Sequence, residues 1–358
     1  MATFAMQALG CEVTAINTVQ FSNHTAYKQV KGRKTPAEEV TELYEGLKQS
    51  HLDDFDVMLS GYCPSAAVVQ EVGKIARESR FKATTKPGSF FWVLDPVMGD
   101  NGKIYVNEDV VPAYKALLKD ADLILPNQFE AELLSEVKIT DYASLATAIE
   151  TLHRKYRVPH VLITSVTLPP TTTSTPQNQS RASSPFVNSA NALQSGKLSI
   201  VGSTATSDLK PRLFRLTVPA LPVFFSGTGD MFAALMVARL RESCQAADLL
   251  TTNHWQSPDD VEATELPLAK AAEKVLASMH AVLVKTMNAR SEELKRLDDE
   301  AKHELNVGIG EEAGQDKSLQ RHLRLTKAAE VRVVRNWRDL VEPQDLNDFR
   351  AQVVAVDQ

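Results

Sequence analysis

Short runs of apolar, β-branched residues alternate along the chain with stretches whose apolar positions recur at helical spacing. Strands are predicted over 12–18, 55–61, 90–95, 121–125 and 160–165. Helices are predicted over 36–50, 64–80, 109–119, 128–136 and 142–156. This strand-then-helix order predicts a parallel sheet covered on both faces, because parallel neighbours need a crossover and the crossover is usually a helix. In such sheets ligands collect beyond the carboxyl ends of the strands. The chain opens differently: Phe4, Met6 and Leu9 share a helical face that stops at Gly10, so a helix precedes the first predicted strand.

The alternation breaks at 169–195. Pro169, Pro170 and a run of Thr and Ser lead a stretch with too few apolar residues to offset its ordering entropy, so it reads as a disordered surface insertion. Two short strands follow near 198–202 and 213–218. A helix starts around Gly229 and a long one covers about 267–297, its charged run 291–303 reading as a solvated face. Residues 306–318 read as a linker loop, and Glu330–Val334 as one more strand. Gly308-Ile309-Gly310 follows no strand, so it is not a dinucleotide fingerprint. The whole of 1–358 is read as one domain carrying the insertion.

Composition narrows the function classes. With 43% hydrophobic and 23% charged residues the chain is an ordinary globular one, neither collagenous nor disordered throughout. A net charge of −6 without a basic run argues against nucleic acid as a partner. No apolar run reaches the roughly 18 residues that cross a bilayer, so no membrane partner is expected. The start carries no signal-peptide pattern, and Cys11, Cys63 and Cys244 are too far apart for a local metal knuckle. Reduced thiols in a cytoplasmic, or also nuclear, protein are the expectation.

The strongest chemical signal is Phe225-Ser226-Gly227-Thr228-Gly229-Asp230, a glycine-rich turn running into an apolar helix. Free N–H groups and the helix dipole favour a phosphate there. The Gly-Lys-Ser/Thr ending of a Walker A loop is absent. Asp230 is either a helix cap or a general base for an attacking hydroxyl. Asp95 and Asp100, in Asp95-Pro96-Val97-Met98-Gly99-Asp100, flank a strand end; they suit Mg²⁺ or a turn that uses Asp side chains. Asn127 and Glu130 form an Asn variant of the capping box after Pro126, with Glu130 directed at the same crevice. Thr164 and Ser165 place hydroxyls at another strand end, Tyr62 an aromatic ring at a third, and Gln20–Thr25 a polar loop at a fourth. An anion hole, carboxylates and hydroxyls together favour phosphoryl transfer over hydrolase or dehydrogenase chemistry. No Gly-x-Ser-x-Gly elbow or His-Glu-x-x-His occurs.

Gln20-Phe21-Ser22-Asn23-His24-Thr25, Asp95–Asp100, Pro126-Asn127-Gln128-Phe129-Glu130-Ala131-Glu132 and Gly227–Asp230 occur in the order and spacing of pyridoxal kinases, and Glu42-Leu43-Tyr44-Glu45-Gly46-Leu47 is similar to that family too. The chain resembles them over nearly its whole length outside 169–195 and the expanded 244–320. The Gly-Thr-Gly-Asp turn is shared with the wider ribokinase-like superfamily. The resemblance implies an α/β ribokinase-like fold, a mostly parallel central sheet with helices on both faces, and typically a homodimer. It implies ATP-dependent phosphorylation of the 5′-hydroxymethyl group of pyridoxal, pyridoxine or pyridoxamine. Asp230 would be the base, with Gly227, Thr228 and Gly229 forming the anion hole. Asp95, Asp100 and Glu130 would hold Mg²⁺ or another divalent cation and K⁺ or Na⁺, mostly through water. Asn127, Thr164, Ser165 and Thr228 would contact ATP phosphates, with Phe232 near the nucleotide. Val19, Thr25 and Tyr62 would line the pyridine pocket, which Asp230 also faces. The chain departs from the family pattern at Leu125, where a threonine is usual. It also lacks the opening strand, Ser-His pair and Gly-Tyr-Val-Gly-Asn turn of relatives, whose loss would remove a central strand and a pocket serine. A hydroxymethylpyrimidine-type kinase, or a chain that binds ligand without transfer, is the alternative reading.

Overall fold

The computed structural model describes residues 1–168, 196–307 and 314–354. The predicted insertion 169–195 lies outside them, as does 308–313 of the predicted linker. The chain begins with α1 (Ala2–Ala8), whose Ala5 is fully buried in the larger core. Residues 12–18, expected as a strand, form no ladder and no regular element. Pairing begins only at β1 (Val19–Phe21), antiparallel to β2 (Gly32–Lys34). Val13 and Ile16 are half-buried, but three positions apart rather than at the period of two that a one-faced strand requires. The backbone is satisfied locally: Asn17 and Thr18 carbonyls accept from the Thr35 hydroxyl at 2.7 Å and N–H at 2.9 Å.

Next come α2 (Ala37–Gln49), β3 (Val57–Ser60), α3 (Ala66–Lys82) and β4 (Phe91–Leu94). A small hairpin of β5 (Gly99–Asp100) and β6 (Lys103–Ile104) follows, then α4 (Val110–Leu117), β7 (Leu123–Ile124), α5 (Gln128–Ser135), α6 (Tyr142–Tyr156) and β8 (His160–Val166). The remaining elements are β9 (Lys197–Ala205), β10 (Pro211–Pro219), α7 (Thr228–Ala246), α8 (Pro267–Val307), α9 (Gly314–Ala328), α10 (Trp337–Val341) and β11 (Gln352–Val353). The helix expected to stop near 297 thus continues to Val307, and 314–318 of the expected linker is helical.

The central sheet has the order β11-β10-β9-β8-β7-β4-β3. Its β3, β4, β7 and β8 are parallel, as their helical crossovers require; β8 through β11 pair antiparallel. The sheet is therefore mixed. In β4, Phe91 and Val93 enter one apolar core, while Trp92 and Leu94 enter the other. That two-faced burial is why the run is continuously hydrophobic rather than alternating. The core holding Phe91 and Val93 includes α7 and α8; α3 to α6 pack on the opposite face.

Glu330–Val334 is not a strand. Val331 and Val333 are buried, but the backbone coils into turns, with the Asn336 N–H donating to the Arg332 carbonyl at 3.1 Å. Burial at alternate positions does not require a ladder when no sheet edge is within reach.

The amino ends of the strands are closed by a buried polar network. Asp122, just before β7, accepts from the Trp92 N–H at 2.6 Å and pairs with Arg80 and with His254 Nδ1, the last at 2.5 Å. His160 Nε2 donates to the His254 carbonyl at 2.8 Å, and Trp255 stacks on Phe91. The opposite, carboxyl, ends carry the crevice described next.

Candidate active site

Asn127 and Glu130 form the capping box at the start of α5. The Asn127 side chain accepts from the Glu130 N–H, and the Glu130 Oε2 accepts from the Asn127 N–H, both at 2.9 Å. Both side chains also reach the turn before β5. Glu130 Oε1 accepts from the Met98 N–H at 2.8 Å and the Gly99 N–H at 3.3 Å, and Asn127 Nδ2 donates to the Gly99 carbonyl at 2.7 Å. Burial lifts the Glu130 pKa to about 7 despite three backbone donors, with the charge of Asp100 adding to the rise.

Asp95 follows β4 and is buried beside two other carboxylates. Burial, then the charges of Glu130 and Asp230, push its carboxyl well above the usual range. Asp100 stands on the β5–β6 hairpin, where its two oxygens accept from the N–H and side-chain amide of Asn101 at 2.8 and 2.9 Å. Its pKa is raised, chiefly by burial. Among the described residues no three His, Cys, Asp or Glu side chains converge closely enough to hold a metal directly. The donor set still suits a water-shelled cation: three buried or crowded carboxylates disfavour one another's charge, and a divalent ion beside them would reverse that.

The glycine turn faces this group. Gly227 sits at the N-cap of α7 with φ +79°, a left-handed value costly for residues with a Cβ. No side chain caps the helix. Asp230 therefore does not serve as its cap, and the first-turn N–H groups keep their donors for a ligand. The Thr228 hydroxyl is buried without a hydrogen-bond partner among the described residues, an orphan of the kind a bound oxyanion satisfies. A Cβ on Gly229 would meet nothing within 4 Å, so that position opens onto free space. Asp230 is exposed at the mouth. Surrounding protein still raises its pKa, opposed by the amino group of Met1.

Thr164 and Ser165 fall at a register shift between Ile163 and Val166, where β8 leaves its ladder with β9. The Thr164 N–H donates to the Pro126 carbonyl at 3.0 Å, which ties this strand end to the start of α5. A bulge here re-aims side chains at a sheet end. Val19 on β1 and Tyr62 after β3 are joined through Thr18, whose hydroxyl donates to the Tyr62 carbonyl at 2.7 Å. Burial raises the Tyr62 pKa. Thr25 opens the short 3₁₀ turn Thr25–Tyr27 in the β1–β2 connection and is exposed. Phe232 is buried in the larger core, and Leu125 is buried there too.

Two features escaped sequence reasoning. An apolar slot beside the glycine turn is lined by Val218, Phe225, Leu276, Met279, His280 and Leu283. Its residues come from β10, the turn and α8, and each looks like an ordinary core position in the sequence. Glu330, far along the chain, contacts the β1–β2 connection; no local motif marks it.

Comparison with known proteins agrees with this arrangement. The profile of the family described as phosphomethylpyrimidine kinase matches residues 3–193. Human pyridoxal kinase is 33% identical over 296 residues, 80% of either chain. The Sus scrofa pyridoxal kinase is 34% identical over 292 residues, 80% of this chain and 77% of that one. The structure of pyridoxal kinase from Leishmania donovani in complex with ADP and pyridoxamine superposes with a TM-score of 0.68 at 27% identity, covering 99% of this chain and 93% of that one. Likeness of this degree, carried along four fifths of the sequence and on one shared fold, makes the chain a member of the pyridoxal kinase family.

Proposed function

We infer that this chain is an ATP-dependent kinase acting on the 5′-hydroxymethyl group of pyridoxal, pyridoxine and pyridoxamine. The observation that carries the reading is the uncapped start of α7, with the orphan Thr228 hydroxyl inside it and the Asp230 carboxylate at its mouth. A bare carboxylate next to a phosphate site is repulsive unless it has a proton to take. Asp230 accepts the proton of the substrate hydroxyl as that oxygen bonds to the γ-phosphorus and the bond to the ADP oxygen breaks. The N–H groups of 228–230 stabilise the charge on the moving phosphoryl group. The raised pKa of Asp230 improves its basicity.

The triphosphate would end at the glycine turn, its last phosphate against the free N–H groups at the start of α7. Asn127, Thr164 and Ser165 bound the phosphate track. Asp95, Asp100 and Glu130 would hold a water-shelled Mg²⁺, which when bound neutralises phosphate charge. Val19, Thr25 and Tyr62 border the space left for the pyridine ring.

The test is ATP-dependent conversion of pyridoxal to pyridoxal 5′-phosphate by the purified chain, with hydroxymethylpyrimidine offered in parallel. The expected result is turnover of the B6 vitamers. Turnover of hydroxymethylpyrimidine alone would favour the chemistry named by the matching family profile, and turnover of neither would overturn the reading.

A further inference from the structure

The β1–β2 connection is held from outside its own hairpin. Glu330 Oε1 accepts from the Tyr27 hydroxyl at 2.9 Å and lies 3.0 Å from His24 Nε2, although 303 residues separate Glu330 from Tyr27. The two rings lean together, with centroids 4.8 Å apart. Eight residues before Glu330, on α9, His322 Nε2 donates to the Ala26 carbonyl at 2.9 Å. Three residues of the connection, His24, Ala26 and Tyr27, are thereby tied to the segment 322–330. Tyr27 remains a donor at neutral pH, since burial and Glu330 push its pKa to about 12.

The contact also fixes the chemistry of His24. A carboxylate oxygen beside Nε2 requires the proton on that nitrogen, so in the neutral ring Nδ1 is an acceptor. That Nδ1 is buried and has no partner among the described residues. His24 lines a recess of about 230 Å³ that it shares with Phe224, Ser226, Arg290 and His322. Ser226 immediately precedes the glycine turn, so this recess adjoins the transfer site.

We propose that Glu330 is a positioning residue for the substrate site: it holds the 24–27 turn, which borders the recess beside the transfer site, in place for the bound vitamer. The substrate half of this statement rests on the B6-kinase reading; the holding of the turn does not.

The test compares Glu330→Ala, Glu330→Gln and Tyr27→Phe in the full chain. Steady-state kinetics and amide hydrogen exchange over residues 22–30 are the two readouts. Glu330→Ala should raise the vitamer KM about tenfold, the loss expected from one or two hydrogen bonds, with kcat and the ATP KM within about twofold. Exchange over 22–30 should speed up. Glu330→Gln, whose amide oxygen still accepts, should recover most of both effects, and Tyr27→Phe should fall between. An unchanged vitamer KM in Glu330→Ala, or a KM that rises equally for ATP, would overturn the proposal. If the wild-type chain turns over no vitamer, the assigned reaction fails on its own. The exchange arm then still decides: faster exchange in Glu330→Ala supports the hold on the turn, and unchanged exchange overturns it.

Discussion

Glu130 and Asn127 satisfy each other's backbone across the first turn of α5, and both also grip the turn that carries Met98 and Gly99. The carboxylate proposed for cation chemistry is thus also the brace that holds the turn leading to Asp100. Glu130→Ala leaves three buried N–H groups, those of Met98, Gly99 and Asn127, without their acceptor. The expected cost is about 3 kcal/mol, since each buried unsatisfied donor costs roughly 1–3 kcal/mol before relaxation and water entry. Glu130→Gln keeps one acceptor oxygen and should cost about half as much. Urea unfolding midpoints of the two variants check this. A shift no larger than that of an exposed-site control would show that the brace contributes little.

Asp230→Asn should separate binding from chemistry. It removes the proton acceptor while keeping side-chain volume, so kcat should fall by about 10²–10⁴-fold, the range for general-base loss. ATP affinity should hold or tighten, because a negative charge near the phosphates has gone. Calorimetric ATP titration beside a turnover assay reads both. Turnover close to wild type would remove Asp230 from the role of base.

Much of this was readable because chemistry and local structure coincide. The capping box of Asn127 and Glu130, the strand end at Asp95 and the turn into α7 each depend on residues within a few positions of one another. Their spacing carries the information. Helix limits were also close, with 142–156 matching Tyr142–Tyr156. Residues 12–18 and 330–334 failed for a common reason. Both are short β-branched runs, and whether such a segment pairs depends on a neighbouring strand, which is a tertiary fact. The antiparallel half of the sheet was hidden likewise: β9 and β10 are plain in the pattern, but their direction is set by which edge they join. The apolar slot and the contacts of Glu330 are assembled from residues distant in sequence, each individually unremarkable.

Gly227 and Gly229 should respond oppositely to alanine. At Gly227, φ is +79° and a Cβ would come 2.9 Å from the Met1 methyl carbon, so Gly227→Ala strains the turn. The left-handed conformation alone costs about 1–2 kcal/mol, and the melting temperature should drop. At Gly229 the space is open, so Gly229→Ala should leave the melting temperature unchanged or slightly higher, because alanine is the better helix former. The added methyl nevertheless occupies the approach to the anion hole, so kcat/KM for ATP should fall at least about tenfold, roughly one lost oxyanion contact. Thermal melts and kinetics on the pair decide it. Full activity in Gly229→Ala would place the phosphoryl group elsewhere.

Two histidines outside the catalytic crevice should each destabilise the fold in acid. His153 lies between the Val158 carbonyl and the Ser203 hydroxyl, and His160 between the Thr204 hydroxyl and the His254 carbonyl. Burial lowers both pKa values to about 4, against about 6.5 in an unfolded chain. Between those values the unfolded state binds more protons, so stability falls as pH falls, beginning near 6.5 and levelling off below 4. At pH 5 each histidine costs about 2 kcal/mol relative to neutral pH. Glu130 acts in the other direction, as do Asp95, Asp100 and Asp230, whose carboxyls are also raised by burial. The folded pKa of Glu130, about 7, exceeds the unfolded value, so its protonation favours the folded state as pH falls, by about 2 kcal/mol over the same interval. The wild-type slope is therefore a partial cancellation, and a variant is needed to expose one part. His153→Gln can keep a donor to the Val158 carbonyl and an acceptor for Ser203 while removing the titration. Its urea midpoints at pH 7 and pH 5 should show about 2 kcal/mol less acid loss than wild type. Equal losses in the two proteins would mean that His153 does not titrate as its burial requires.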